Sequence, residues 1–436
     1  MAKSGIMSAL LVTRPTLRGA AARLRPGSAQ SRILNGSLVL LLGTGMVTLL
    51  NFGYNVAVAR MLGPAAFGHA AAAVTLLMLV SAITLSFQLV CAKLVARNES
   101  PAARAAVFHD LLKRAWLVGV VLGSAVMLGS DAVAVYLNLP SRTEVILLAL
   151  GIAFYVPLGA KRGGMQGVCA FRRLSWNFIL EAVVKFAAAL ALVGAGFGVE
   201  GAVAAISISV VLAYFLPRVP SELNVRPQRE HSVSVREGLQ AVVFFIGQVV
   251  INNVDVLLVK HFFPPDTAGL YAAVALVGRV VYFASWSVVS AMFPVSAGTK
   301  SDDENTSMLA VPMLFVLGIS VVFVVTLTFI PEIVLRTVFG PEFNTGSIGP
   351  LLSLYAAATG IYALSVVLIT FEMSRRIANT GWLQLVFSGA IVVGIYLFHD
   401  SLREVVLVQL ALMAVLLMLV SLPFLRRPRT ALQEAS

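Results

Sequence analysis

Charge is what this 436-residue chain lacks: Asp, Glu, Lys and Arg make up 12% of it against 59% apolar residues, and its mean hydropathy is +0.91. A soluble domain carries about twice that charged fraction, so a soluble globular protein is excluded and a membrane protein is expected. Acid is scarcest at the start, where no Asp or Glu precedes Glu99. The first 32 residues hold Lys3, Arg14, Arg18, Arg23, Arg25 and Arg32 unopposed, a composition shared with organellar transit peptides but read here as a basic cytoplasmic tail. A secretory signal with a cleavage site is not recognisable, and the first spanning segment can direct insertion. Cysteine is limited to Cys91 and Cys169, in no metal-ligand spacing and expected as packing residues. The histidines at 69, 109, 231, 261 and 399 form no metal-spaced pair. No metal, cofactor or catalytic constellation is therefore expected. The net charge of +12 is dispersed among short links without a basic domain, which suits phospholipid headgroups and membrane orientation and argues against nucleic acid.

What is abundant is long apolar runs. A spanning helix needs about 20 such residues, and twelve runs qualify, near 35–59, 66–96, 113–137, 144–160, 174–197, 199–219, 238–260, 268–297, 308–331, 347–372, 377–398 and 403–425. The fifth and sixth are parted by a tight turn in the cluster Gly194, Gly196, Gly198, Gly201, followed by Glu200 in the next segment. With both termini placed inside, 25 of the 32 basic residues fall in cytoplasmic links and tails, among them Lys161 and Arg162, and five fall outside: Arg60, Arg142, Lys260, Arg336 and Arg403. That bias agrees with the positive-inside rule. The long polar link Pro217 to Gly238 divides six segments from six. The expected organisation is a basic tail (1–32), an N-lobe of helices 1–6 (33–220), a cytoplasmic linker (221–235), a C-lobe of helices 7–12 (236–426) and a short cytoplasmic tail (427–436).

The halves share a mark. VARMLGPAAFGHA, from Val58 to Ala70, returns loosely as VKHFFPPDTAGLYAA, from Val259 to Ala273. In each, a basic residue (Arg60, Lys260) stands four before a proline (Pro64, Pro264) and a glycine follows (Gly68, Gly269). Both copies fall between the first two segments of their half, so the repeat is parallel, related by an axis along the membrane normal. They are read as tight outer turns broken by Pro64 and Gly68, with Arg60 resting among headgroups.

LVLLLGTGMVTLLNFGYNVAVARMLGPAAFG, followed by a helix ending in KLVARN, resembles the start of the polysaccharide biosynthesis flippases, the Wzx-like branch of the multidrug/oligosaccharidyl-lipid/polysaccharide (MOP) exporter superfamily. NNVDVLLVKHFFPPDTAGLYAAVALVGRVVYF is similar to that family's seventh and eighth helices, with Asn252 and Asp255 before the turn and Ala268, Gly269 and Tyr271 after it. The resemblance implies an all-α fold of the MATE/MOP kind, in a bacterial cytoplasmic membrane. It implies a flippase, not an enzyme, that moves an undecaprenyl-pyrophosphate-linked oligosaccharide outward by alternating access. Its partners would be that cargo, membrane lipids, and a polysaccharide polymerase and chain-length regulator. Two alternatives in the same superfamily stay open. An ion-coupled multidrug or metabolite exporter would be expected to carry an acid in the first two helices, where this chain has none. A lipid II flippase would be expected to carry arginines there and two further C-terminal helices. A membrane polymerase or ligase is a weaker fit, because the outer links are short and offer no convergent nucleophile and base.

Four ionisable residues fall inside the spans: Glu181, Lys185, Asp255 and Arg279. Each costs at least about 2.5 to 3.5 kcal/mol at a helix centre and needs a partner or a wet cavity. Lys185 and Arg279 should reach the midplane, one from each lobe, about 15 Å from a helix end. Facing each other across a cavity, they could grip a pyrophosphate. The competing reading pairs Glu181 with Lys185 at helical spacing and Asp255 with Arg279. Glu181 and Asp255 are also the candidates for ion coupling, although Asp255 is expected near the outer surface within reach of water. Asn51, Asn55, Asn252 and Asn253 either line a sugar-binding wall or hydrogen bond between helices.

Overall fold

The computed structural model describes residues 29–225, 235–285, 304–343, 346, 348–375 and 381–425. All regular structure among them is helical: α1 (Ala29–Arg97), α2 (Pro101–Leu128), α3 (Ser130–Tyr136), α4 (Arg142–Gly167), α5 (Phe171–Leu192), α6 (Gly198–Phe215), α7 (Val235–Phe262), α8 (Pro265–Gly278), α9 (Glu304–Phe329), α10 (Pro331–Phe339), α11 (Gly349–Arg375), α12 (Gly381–Leu397) and α13 (Leu402–Leu425). Nine helices among the described residues are long and apolar enough to cross a membrane, the longest being Leu42–Arg97 and Phe171–Phe215. The chain is a multi-pass membrane protein.

Both of those long stretches are broken by glycines. In α1 the break is at Gly63, with φ 75° and ψ 177°, a conformation that an L side chain resists. The expected turn thus sits one residue before Pro64, and Gly68 stays helical. Between α5 and α6, Gly196 (φ 90°) and Gly198 (φ 53°) turn the chain where the glycine cluster places it. Other boundaries moved. The third segment, expected at 113–137, begins at Pro101, because Ser100 Oγ accepts the Ala103 amide at 3.1 Å and the proline fits the first turn. Lys161 and Arg162, placed in a cytoplasmic link by their charge, lie inside α4 and are each only 4% exposed. The ninth segment, expected at 308–331, begins at Glu304. Cys91 is buried as expected, whereas Cys169 is exposed. The tails at 1–28 and 426–436, much of the 221–235 linker and the stretch 286–303 lie outside the described residues.

Helices α1, α2, α4, α5 and α6 pack on one another, as do α7, α8, α9, α11, α12 and α13, and the two sets meet chiefly where α1 touches α7 and α8. Within the first set a glycine stripe brings α4 onto α1. A Cβ on Gly159, Gly163 or Gly167 would stand 2.4, 2.3 or 2.8 Å from the carbonyls of Thr84, Gln88 and Ala92. Small residues four apart let the backbones approach this closely, and in lipid such packing replaces the hydrophobic effect as the force between helices. Between the sets, the two turn motifs touch directly. A Cβ on Gly269 would lie 1.8 Å from the Pro64 carbonyl, and one on Gly68 would lie 2.9 Å from the Gly269 amide.

Gly269→Ala should therefore destabilise the protein by about 1 to 3 kcal/mol through overpacking. Gly318→Ala, which meets nothing within 4 Å, should leave the thermal midpoint in detergent unchanged or raised. Equal midpoints for the two variants would contradict the contact.

Candidate functional site

Besides Glu144, Lys260 and Glu372, which are also buried, the charges inside the bundle fall into three clusters. Asp255, on α7, is fully buried and accepts three hydrogen bonds: from Arg279 Nη2 at 2.8 Å, Tyr355 Oη at 2.8 Å and Tyr271 Oη at 2.9 Å. Each donor is held in turn. Arg279 Nε donates to Tyr355 Oη at 3.1 Å, and Gln409 Nε2 donates to Tyr271 Oη at 2.8 Å. The tyrosine rings meet edge to face at 5.9 Å. Tyr271 on α8, Tyr355 on α11 and Arg279 just beyond α8 thereby satisfy one carboxylate, with Gln409 on α13 supporting Tyr271. The water expected at Asp255 is replaced by protein donors.

The second cluster lies in the first set of helices. Arg162 donates from Nε to Asn177 Oδ1 at 2.6 Å and from Nη2 to Glu181 Oε2, with its guanidinium 4.1 Å from the Phe178 ring. Asn177 completes the arrangement by donating to the carbonyls of Ala213 and Leu216 at 2.6 and 2.7 Å. Beside it, Lys161 Nζ donates to the Tyr214 carbonyl. Glu181 therefore pairs with Arg162, nineteen residues away, and not with Lys185 one turn along its own helix.

Lys185 forms the third. It is 8% exposed, and no ion pair to it exists among the described residues; its Nζ lies 5.2 Å from the centre of the Tyr54 ring. Tyr54 is itself fixed by donating to the Ala202 carbonyl at 3.0 Å. An aromatic face stabilises a desolvated cation without cancelling its charge. Lys185 is therefore a buried positive charge with unspent capacity for an anion.

The asparagines are half-buried. Asn55 and Asn252 donate to the carbonyls of Asn51 and Gln248 at 2.8 and 2.9 Å, each four residues back on its own helix. Asn51 Oδ1 is buried without a partner. Asn252 also lies against the hydroxyls of Tyr282 and Tyr362, whose rings stack at 5.7 Å. The structure gives no contact between Lys185 and Arg279. A cleft of about 790 Å³, lined by Phe263, Thr267, Val324, Leu354 and Arg403 among others, involves none of these residues. No group of three or more His, Cys, Asp or Glu able to hold a metal occurs among the described residues.

The family model for polysaccharide biosynthesis proteins matches residues 33–300. The chain belongs to that family. No curated protein matches it. Among solved structures, this family member aligns with an inward-facing multidrug resistance MATE transporter of the MOP superfamily at TM-score 0.70 and 14% identity, over 87% of this chain and 94% of the other. The lipid II flippase MurJ, in an inward closed conformation, aligns at TM-score 0.72 and 10% identity, over 90% and 88%. A MOP superfamily transporter from Pyrococcus furiosus, described as having a binding pocket of reversed polarity, aligns at 0.53 and 15%, over 93% and 97%. At these identities the likeness establishes the fold, which is that of the MOP superfamily.

Tyr54, Arg162, Tyr355 and Gln409 carry no sequence signal of their role, since their partners are 19 to 148 residues distant. Tyr271 stood within the family pattern and could have been singled out. Removing Asp255 alone strands the Arg279 charge, so Asp255→Ala should cost about 3 to 5 kcal/mol, and Asp255→Ala with Arg279→Met should recover most of it. Thermal midpoints in one detergent would decide, and a double variant no better than Asp255→Ala would count against the pairing.

Proposed function

We propose that this polysaccharide biosynthesis family member is a flippase that carries an undecaprenyl-pyrophosphate-linked oligosaccharide across the bacterial cytoplasmic membrane. On this reading twelve spanning helices form two six-helix lobes, 33–220 and 236–426, with both termini inside, and the lobes rock about a central cavity. Membership of the family supports a role in polysaccharide synthesis, and the MOP fold supports transport. The observation that carries an anionic cargo is Lys185, a buried cation seated on an aromatic ring with no carboxylate paired to it. A diphosphate would offer the counter-charge that the protein withholds.

Arg279 has a second role on this reading. Its Nε and Nη2 are committed to Tyr355 and Asp255, so any contact with phosphate would use the remaining edge of a guanidinium that is 13% exposed. Lys185 becomes the principal anchor, with Arg279 contributing field from the other lobe. Glu181 and Asp255 remain candidates for ion coupling, because protonation of either would release its arginine for cargo. Asn51, with its unpartnered buried Oδ1, and the neighbouring Asn55 and Asn252 are candidates for sugar contacts. A polymerase and a chain-length regulator are the partners this activity would serve.

The test is complementation of a host lacking its own flippase, scored by surface polysaccharide at matched protein level. Lys185→Ala should reduce polysaccharide about tenfold or more, the loss expected of one charge-assisted contact, and Lys185→Arg should retain most of it. Undiminished polysaccharide in Lys185→Ala combined with Arg279→Ala would overturn the anionic grip.

A further inference from the structure

The hydrogen bonds described between the two sets of helices gather at the end of the bundle that carries the turn motifs. Arg60 and Lys260 occupy equivalent places there, four residues before Pro64 and Pro264, and each crosses to the opposite half. Arg60 Nε donates to the Val338 carbonyl at 2.7 Å and its Nη2 donates to the Thr337 carbonyl, both in the last turn of α10. Lys260 Nζ donates to the Asn138 carbonyl at 3.1 Å, two residues past the end of α3. The Thr337 and Val338 carbonyls lie in a last helical turn, where the helix dipole favours a cation, and the Asn138 carbonyl lies in the turn that follows α3. The exchange is reciprocal: the first half's cation closes on the second half's short helix, and the second half's cation closes on the first half's.

Each contact is braced. Asn138 returns hydrogen bonds to the carbonyls of His261 and Lys260 at 2.9 and 3.3 Å, and the His261 ring stacks on Tyr136 at 4.0 Å. On the other side Phe67 packs between Phe339 and Phe343 at 6.2 and 5.9 Å. The Gly68 and Gly269 backbones touch between the two contacts. Unlike a surface ion pair, Lys260 is only 1% exposed, although it stood at a position read as an outer link. Arg60 remains solvent-exposed, so its removal leaves no buried charge behind.

We propose that Arg60 and Lys260 are positioning residues that act as a reciprocal latch, holding this end of the bundle shut, and that both contacts release when the cavity opens on this side. The inference rests on the two-lobe, alternating-access reading above. A cation on a helix terminus suits a latch because the bond is short-ranged and exchanges readily for water once the halves part.

The latch can be read without knowing the cargo. In the full-length protein in lipid nanodiscs, with Cys169→Ser and spin labels at Thr143→Cys and Glu332→Cys, electron–electron resonance reports the distance between α4 and α10 across the interface. With the latch intact one short distance should dominate. Arg60→Gln should raise the longer-distance population about threefold, Lys260→Gln should act in the same direction, and Arg60→Lys should restore the short distance. Unchanged distributions in both glutamine variants would overturn the latch. Orientation is read separately, by a membrane-impermeant maleimide on intact cells expressing Thr143→Cys. Absence of outside labelling would contradict the outer placement of this end and leave the latch itself standing.

Discussion

Every charge that enters a bundle surrounded by hydrocarbon has to be neutralised inside it, because neither water nor lipid tails will solvate it. The arrangement of this protein follows from how each charge meets that demand. Asp255 draws its three donors from α8, from α11 and from just beyond α8, so Arg279 and two tyrosines are committed to it before any cargo arrives. Glu181 is met by Arg162, which is anchored through Asn177 to the end of α6. Breaking either pair strands a buried charge, so loss of one partner alone is costly. Lys185 has no ion pair among the described residues and is held against Tyr54, whereas the buried Lys161 and Lys260 donate to backbone carbonyls. On the proposed reading, a buried cation without an ion pair is where an anionic cargo can add stability that the empty protein lacks.

The second theme is close approach. Glycines at four-residue intervals on α4 let it lie directly on α1, while Gly68 and Gly269 bring the two sets into backbone contact at the end that carries the turn motifs. A contact braced by two exchanged cations is suited to parting as a unit. The fold is shared with MATE and MurJ structures.

Much of the fold was legible in the amino-acid order. Apolar runs located the helices, and the turn at Gly196 to Gly198 fell within the expected cluster. The recurrence of the Arg60 and Lys260 motifs marked two segments that the structure then brings together. Boundaries failed where charge was taken to mean exposure: Lys161 and Arg162 read as a link and are buried, and Lys260 read as an outer residue and is buried as well. Hydropathy cannot distinguish a solvated cation from one satisfied by a distant carbonyl, because the partner is a backbone atom far along the chain. The same limit explains the ion pairs. Glu181 and Lys185 stand at ideal helical spacing, yet Glu181 faces α4 and finds Arg162, a pairing decided by how two helices rotate against each other. The competing reading also paired Asp255 with Arg279, and the structure shows that ion pair. The stripe Gly159, Gly163, Gly167 was visible as a small-residue repeat and would have indicated that α4 is a buried helix.

The central claim is that the interior selects cargo by its diphosphate. It is tested most directly by reconstituting the purified protein in liposomes and measuring leaflet translocation of two fluorescent glycolipids that share the same polyprenyl chain and sugar, one linked through pyrophosphate and one through a neutral ether. The account predicts translocation of the pyrophosphate-linked lipid and little or none of the neutral one. Equal rates for the two would contradict it.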